Sequence, residues 1–266
     1  DDDNLKREGI SPGKIFRVGN IMVDSLLFNK AKAKESGILK KLGLVTEHQS
    51  PITKSESKSY SQPVTPYALL TLHRPSNVDD RQSLTRIMAA VNQVAQRIPI
   101  VFPAHPRTQK MLKEFNLNLN RNPQPESESK SKSQSQSESP PQSNVLIIPP
   151  LGYLDFLKLE MNARFVMTDS GGMQVETTAL GIPCLTLLDS PVWTITHKQG
   201  TNILVGSDSQ KLVQEAFNIL NPKSKPKSKS ESKIELWDGK AAERIVTVIK
   251  TKSKSESEQC PHLKTI

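Results

Sequence analysis

The chain has 266 residues, of which 36 are Lys or Arg and 27 are Asp or Glu, so its net charge at pH 7 is +9. That length allows one large domain or two small ones. No apolar run approaches the roughly 18 residues of a membrane-spanning helix, and the acidic start Asp1-Asp2-Asp3 is unlike a signal peptide. Cys184 and Cys260 have neither metal-ligand nor disulfide-framework spacing. We therefore expect a cytoplasmic protein without a membrane partner or a metal site.

Four segments consist of Ser alternating with Lys, Glu or Gln, namely 50–66, 123–144, 221–233 and 250–258. They carry 12 Lys and 7 Glu, which is five of the nine net positive charges. Because apolar side chains are almost absent from them, we predict that they are disordered inserts. The rest of the chain is only mildly basic and has no element that combines clustered Arg with aromatics, so we expect no nucleic-acid partner.

The remaining residues alternate between short apolar runs and segments with helical periodicity. A strand over Lys14–Val18 is predicted to precede a helix over Ile21–Lys34. The later units are strand Tyr67–His73 with helix Arg81–Arg97, strand Ile98–Ala104 with helix Arg107–Phe115, strand Val145–Ile148 with helix Tyr153–Met161, strand Arg164–Met167 with helix Gly172–Leu180, strand Cys184–Leu188, and strand Ile203–Val205 with helix Ser209–Leu220. Continuous apolar strands alternating with helices predict an α/β fold, a doubly wound parallel sheet in one domain over residues 1–266.

Polar sequences follow three of these strands. They are His73-Arg74-Pro75-Ser76-Asn77, His105-Pro106-Arg107-Thr108 and Thr168-Asp169-Ser170-Gly171-Gly172. Ligands of such sheets bind outside the carboxyl ends of the strands, so the three sequences are expected at one edge. The alternative is that each is a turn with a capping residue, with Ser170 as the N-cap of the next helix.

The Gly-rich sequence before the helix at Gly172 is typical of an anion site. Glycines allow close approach to the backbone, and the N–H groups of a helix start favour a diphosphate. Glu176 lies one turn further on the same face and could accept hydrogen bonds from a ribose, although an exposed helix glutamate is the alternative. The chain lacks a G-x-G-x-x-G fingerprint and a Walker motif, so no dinucleotide cofactor is expected.

Five sequences together resemble the UDP-N-acetylglucosamine 2-epimerase family, non-hydrolysing type. They are Arg17-Val18-Gly19-Asn20-Ile21-Met22-Val23-Asp24, Leu72-His73-Arg74-Pro75-Ser76-Asn77-Val78-Asp79, Phe102-Pro103-Ala104-His105-Pro106-Arg107-Thr108, Thr168-Asp169-Ser170-Gly171-Gly172-Met173-Gln174 and Leu236-Trp237-Asp238-Gly239-Lys240-Ala241-Ala242. The resemblance implies the carboxy-terminal, Rossmann-like half of a GT-B fold. It implies interconversion of UDP-GlcNAc and UDP-ManNAc by UDP elimination and re-addition. It also implies that the amino-terminal domain, which supplies the acid and base, is absent here, so the partners expected are UDP or UDP-GlcNAc, that domain, and a second subunit.

The resemblance also implies roles for individual residues. Ser170, Gly171 and Gly172 would hold the diphosphate, Glu176 the ribose, and His73 the diphosphate or the reacting centre. The other implied binding residues are Leu151 and Phe156 at the uracil, Arg74 and His105, each of which could simply bind phosphate, and Arg107. Phe156 could instead belong to the core, and Arg74 and His105 match a regulatory UDP-GlcNAc site of bacterial members.

One segment and one single residue depart from the family pattern. The segment 188–194 lacks the family's Arg and Glu residues, and Val175 stands where a Glu is common. Losing charged groups should weaken the hold on a diphosphate. Three hypotheses follow: a split or truncated half of an epimerase for polysaccharide biosynthesis, a non-catalytic UDP-sugar binding module, or half of a hydrolysing epimerase or GT-B glycosyltransferase.

Overall fold

The computed structural model describes residues 2–45, 64–117, 144–223 and 234–259. Its contacts separate two compact units, where the sequence analysis predicts one domain. One unit contains residues 1–31 and 233–266, and the other contains residues 32–232. Every candidate site residue lies in the second unit.

The second unit is built on a six-stranded sheet in which each neighbouring pair of strands is parallel. The strands are β1 (Ala68–Thr71), β2 (Ile100–Pro103), β3 (Val145–Ile148), β4 (Phe165–Thr168), β5 (Cys184–Thr186) and β6 (Asn202–Leu204), in the order β3-β2-β1-β4-β5-β6. The order reverses between β1 and β4, which is the switch point of a doubly wound sheet. The predicted fold class is confirmed.

Helices cover both faces of this sheet. They are α3 (Ile38–Lys41), α4 (Pro75–Val78), α5 (Arg81–Ala95), α6 (Pro106–Glu114), α7 (Tyr153–Asn162), α8 (Gly171–Leu180), α9 (Thr194–Lys198) and α10 (Ser209–Leu220). Adjacent residues of β1 enter different cores, because strand side chains alternate between faces. Leu70 packs in the core that contains residues of α5 and α10, and Leu69 packs in the core that contains residues of α3, α7 and α8.

Local signals explain where these helices start and stop. Asp80 accepts a hydrogen bond from the Ser83 N–H at 2.8 Å at the start of α5, and Asp208 caps α10 in the same way. Gly181 ends α8 with a φ of +69°, a left-handed conformation that favours glycine.

The first unit contains α1 (Asp2–Arg7), most of α2 (Ile21–Lys34) and α11 (Ala241–Gln259). Asp24 accepts hydrogen bonds from the Ala241 and Ala242 N–H groups at 3.1 and 2.8 Å, so a side chain of α2 caps the start of α11. Gly19 has a φ of +100°, and an added Cβ would lie 2.4 Å from the Leu236 carbonyl oxygen, so only glycine fits there.

The predicted helix Ile21–Lys34 is confirmed, and the ends of the predicted elements from residue 67 onward lie within two residues of those observed. The predicted strand Lys14–Val18 is wrong. Pro12–Lys14 form a 3₁₀ turn, and the Val18 carbonyl accepts a hydrogen bond from the Arg244 guanidinium at 3.3 Å instead of pairing with a strand.

The predicted inserts fall mainly outside the described residues, but one of them is covered. Residues 250–258, predicted to be disordered, continue helix α11 to Gln259. Lys and Glu have a high helix propensity, so the helix that begins at Ala241 extends through this segment. Val64, in the described end of the insert 50–66, forms an isolated antiparallel β-bridge with Val45, which precedes that insert. Within the described residues, no helix is long and apolar enough to cross a membrane.

Candidate functional site

The switch point brings together the sequences that follow β1 and β4. The hydroxyls of Thr71 and Thr168, the last residues of these strands, are 2.6 Å apart and share a hydrogen bond. The Thr168 hydroxyl also accepts from the Ser170 N–H at 3.0 Å. The two polar sequences therefore leave the sheet side by side, as their positions after adjacent strands predict.

Asp169 ties these two sequences together. It is completely buried, and its carboxylate accepts from His73 Nδ1 at 2.9 Å, from the His73 and Arg74 N–H groups, and from the Asn77 amide at 3.1 Å. Asn77 also donates to the Leu187 carbonyl at 3.0 Å. The sequence analysis includes Asp169 in a motif without giving it a role, although an acid directly after a buried strand is the signal that could have identified it.

The His73–Asp169 pair sets the protonation of both groups. The hydrogen bond from its ring to Asp169 raises the pKa of His73. Burial by itself would raise the pKa of Asp169, but the hydrogen bonds from His73, Arg74 and Asn77 outweigh it and lower that pKa. Because Nδ1–H donates to Asp169, the ring is oriented with Nε2 as the nitrogen that Asp169 does not engage. That nitrogen can act as a base or, when protonated, as a donor to an anion.

A cavity of about 240 Å³ lies beside His73, and we call it the switch-point pocket. Its walls are Thr71, Leu72, His73, Pro103, His105, Pro150, Leu151, Phe156, Ser170 and Met173. Five of the predicted site residues therefore line one pocket, although they come from four separate segments. Leu151 and Phe156 also pack against the core between α7 and α8, so the alternative that Phe156 is a core residue is compatible with its place in the pocket wall.

The start of α8 borders this pocket. Ser170 is its N-cap, as the capping alternative predicts, and its hydroxyl lies 3.5 Å from the Met173 N–H. A Cβ on Gly171 would lie 3.2 Å from Val192, so packing against Val192 already favours a small residue there. The first N–H groups of a helix lack intrahelical acceptors, and α8 therefore presents donors and the positive end of its dipole beside Ser170.

Glu176 is half-buried on α8 and accepts a hydrogen bond from the Tyr153 hydroxyl at 2.9 Å. It is thus not the exposed helix glutamate of the alternative interpretation. Burial raises its pKa, while hydrogen bonds from Tyr153 and Glu160 act in the opposite direction. Glu160 is completely buried on α7, and burial followed by the nearby Glu176 charge raises its pKa well above the usual range. Sequence reasoning missed both Tyr153 and Glu160.

The remaining predicted residues lie around the switch-point pocket in different ways. His105 forms part of its wall, with its ring centroid 6.2 Å from that of His73, and its Nδ1 accepts from the Arg107 N–H at 3.2 Å. Arg107 lines neither this pocket nor the one described next. Its guanidinium is paired with Asp79, with Nε 2.7 Å from Oδ1.

Arg74 lines a second pocket of about 500 Å³, whose wall also contains Arg86, Asp189 and Val192. The Arg74 Nε donates to the Asp169 carbonyl at 2.8 Å, and this hydrogen bond holds the Arg74 guanidinium beside Asp169. Residues 188–192, part of the segment that departs from the family pattern, form one side of the second pocket. Among the described residues, no three His, Cys, Asp or Glu side chains cluster as metal ligands would.

These features define a class of protein: a doubly wound α/β unit with a pocket at the switch point of its sheet, beside the N-terminus of a helix. The UDP-N-acetylglucosamine 2-epimerase family model matches residues 1–250, and the chain belongs to that family.

The chain is 36% identical over 249 residues to UDP-N-acetylglucosamine 2-epimerase of Methanocaldococcus jannaschii, covering 93% of this chain and 57% of that protein. It is 32% identical over 221 residues to UDP-2,3-diacetamido-2,3-dideoxy-D-glucuronate 2-epimerase of Pseudomonas aeruginosa, covering 82% and 49%. The crystal structure of the M. jannaschii enzyme in complex with UDP-GlcNAc and UDP superposes with a TM-score of 0.66 at 34% identity, over 92% of this chain and 58% of that one. The chain thus spans somewhat more than half the length of the M. jannaschii enzyme.

Proposed function

We propose that this chain supplies the UDP-binding part of a site that interconverts UDP-GlcNAc and UDP-ManNAc by elimination and re-addition of UDP. The observation that carries the proposal is the switch-point pocket, because His73, His105, Leu151, Phe156 and Ser170 converge there from separate segments. Family membership supports the assignment of the ligand class.

The switch-point pocket and the residues of α8 next to it suit different parts of UDP; Gly171, Gly172 and Glu176 lie on α8 and do not line the pocket itself. The N–H groups at Ser170, Gly171 and Gly172 would take the diphosphate, and His73 would donate to it from Nε2 when protonated. Leu151 and Phe156 offer an apolar surface to the uracil ring, and Glu176 offers acceptors to the ribose hydroxyls. Backbone donors and His73 take the place of a cation in this scheme, so binding is expected without a metal.

The size of the pocket supports a shared site. Its volume of about 240 Å³ is below the roughly 300–1,000 Å³ of pockets that enclose small ligands. We therefore propose that the chain forms one wall, and that the part of the relatives it does not match supplies the acid and base for C2. The P. aeruginosa relative is named for a different sugar with the same nucleotide. UDP is thus the shared ligand, and it is the probe for this chain.

Calorimetric titration of the purified chain with UDP in EDTA tests the proposal. We expect a Kd between about 0.1 and 1 mM, equivalent to about 4–5.5 kcal/mol. Gly172→Val should abolish binding, because its side chain blocks the approach of the phosphates. Glu176→Gln should weaken UDP about fivefold and leave inorganic pyrophosphate unchanged, since only UDP has a ribose.

Glu114→Gln is the matched control, because it removes the same charge from an exposed position of α6. Its UDP and pyrophosphate affinities should equal those of the parent. Equal losses for both ligands in Glu176→Gln would remove Glu176 from the ribose role. No binding of UDP at millimolar concentration would contradict the proposal. Turnover of UDP-GlcNAc by the chain alone would contradict the assignment of the acid and base elsewhere.

A further inference from the structure

Glu160 is a buried acid beside Glu176. Its side chain is completely buried on α7, and apart from the Glu176 carboxyl neither of its oxygens has a hydrogen-bond partner among the described residues. An ionised carboxylate in such a place would be strongly destabilising, so the group has to be neutral or share its charge. It lies seven residues after Tyr153, two turns along the same helix face.

Among the described residues, no cation is placed to neutralise Glu160. Glu176 approaches from α8, and its charge adds to the effect of burial in raising the pKa of Glu160. The thiol of Cys184 on β5 has its pKa raised by burial to about 12, so it is neutral. Tyr67 is also neutral and donates to the Leu159 carbonyl at 2.6 Å, while Lys40 and Lys41 of α3 are exposed.

Two carboxyls in contact favour a state in which one is protonated and donates to the other. Glu160 is the more deeply buried of the two, so it holds the proton. Glu176 is the ionised member, because it is half-buried and already accepts from Tyr153. Tyr153 and protonated Glu160 would then each donate a hydrogen bond to the Glu176 carboxylate.

We propose that protonated Glu160 is a positioning residue that, together with Tyr153, holds the carboxylate of Glu176 in place for the ribose hydroxyls. This inference rests on the proposed function, in which Glu176 recognises the ribose. The arrangement makes recognition of the nucleoside depend on pH. When both carboxyls are ionised they repel each other, and the Glu176 carboxylate leaves its position.

UDP and pyrophosphate titrations of two Glu160 variants test the inference. Glu160→Gln keeps a neutral donor, so its UDP affinity at pH 7 should stay within about twofold of the parent. Glu160→Met removes the donor and should weaken UDP about fivefold without changing pyrophosphate binding. UDP affinity of the parent should fall relative to Glu160→Gln as the pH rises through the raised pKa of Glu160, and comparing the two proteins at each pH cancels the titration of UDP itself.

The outcomes separate this inference from the proposed function. Suppose that the parent binds UDP and that Glu176→Gln weakens UDP but not pyrophosphate. If Glu160→Met then binds UDP like the parent, only the positioning role is overturned. Equal UDP affinities of the Gln and Met variants would overturn it as well. Pyrophosphate binding reports whether Glu160→Met is folded. If that variant fails to fold, a pH profile of Glu160→Gln identical to the parent's overturns the role by itself.

Discussion

Asp169 and Glu160 are both completely buried acids next to α8, yet their surroundings give them opposite charge states. Asp169 accepts hydrogen bonds from a ring nitrogen, two backbone N–H groups and an amide, which lower its pKa despite burial. Glu160 has no such donors, and burial raises its pKa. The hydrogen-bond donors around a buried carboxyl, and not how deeply it is buried, therefore decide whether it is ionised. One acid orients the candidate anion-binding His73, and the other is proposed to orient Glu176.

The largest expected change in stability follows from removing the charge of Asp169. Asp169→Asn places an amide NH₂ against groups that all donate, so we expect a loss of about 3 kcal/mol or more in the free energy of unfolding. Urea denaturation measures it. Asp79→Asn is the control at the exposed Arg107 pair and should have little effect, because exposed ion pairs contribute little. A small effect of Asp169→Asn would show that its hydrogen bonds are not the basis of its ionisation.

Glu160→Met is expected to change stability in the opposite direction. It removes a completely buried carboxyl, whose desolvation cost exceeds the one hydrogen bond proposed to Glu176, and adds apolar packing, so we expect a gain of about 1 kcal/mol in the free energy of unfolding at pH 7. The same urea experiment checks it. A loss comparable to that of Asp169→Asn would mean that Glu160 has strong partners, and the contrast between the two acids would not hold.

The pH dependence of stability should distinguish the same two acids. The folded-state pKa of Glu160 is raised above the unfolded value of about 4.3, so the parent should lose stability as pH rises from that value through the folded pKa. Glu160→Met should lack this decline, and its advantage in stability over the parent should grow as the pH rises from about 4.3 through the folded pKa of Glu160. Asp169 has a lowered pKa, so its contribution is present above about 3.9 and is lost as the pH falls. Urea midpoints across pH give both curves, and parallel curves for parent and Glu160→Met would contradict the assignment.

A smaller effect of pH on stability concerns the imidazole ring of His73, which is hydrogen-bonded to Asp169. The pKa of His73 is raised by its hydrogen bond to Asp169, so its stabilising contribution is present below about 6.5 and is lost as the pH rises through the folded value. NMR titration should give His73 a pKa above its ordinary value of about 6.5. A pKa at or below that value would show that Asp169 does not control His73.

The sequence predicted the parallel sheet and the convergence at its switch point, because apolar runs and the polar residues after them are local patterns. It did not predict Glu160 as buried, because a glutamate on a helix is ordinarily exposed and only the packing of α7 beside α8 encloses it. The Arg107–Asp79 pair was missed for a similar reason, since it depends on where α4 places Asp79. The Ser-rich run at 250–258 was misjudged because composition alone does not register that a helix already formed can extend through it.

One measurement tests the central contrast most directly, a pH titration by NMR of the chain with ¹³C-labelled Asp and Glu side chains, with and without UDP. We predict that Asp169 remains ionised below its ordinary range, that Glu160 remains protonated well above its ordinary range, and that UDP perturbs Glu176 and Glu160 together. Titration of Glu160 near its ordinary value of about 4.3, or the absence of any UDP-dependent change at Glu176, would contradict the account.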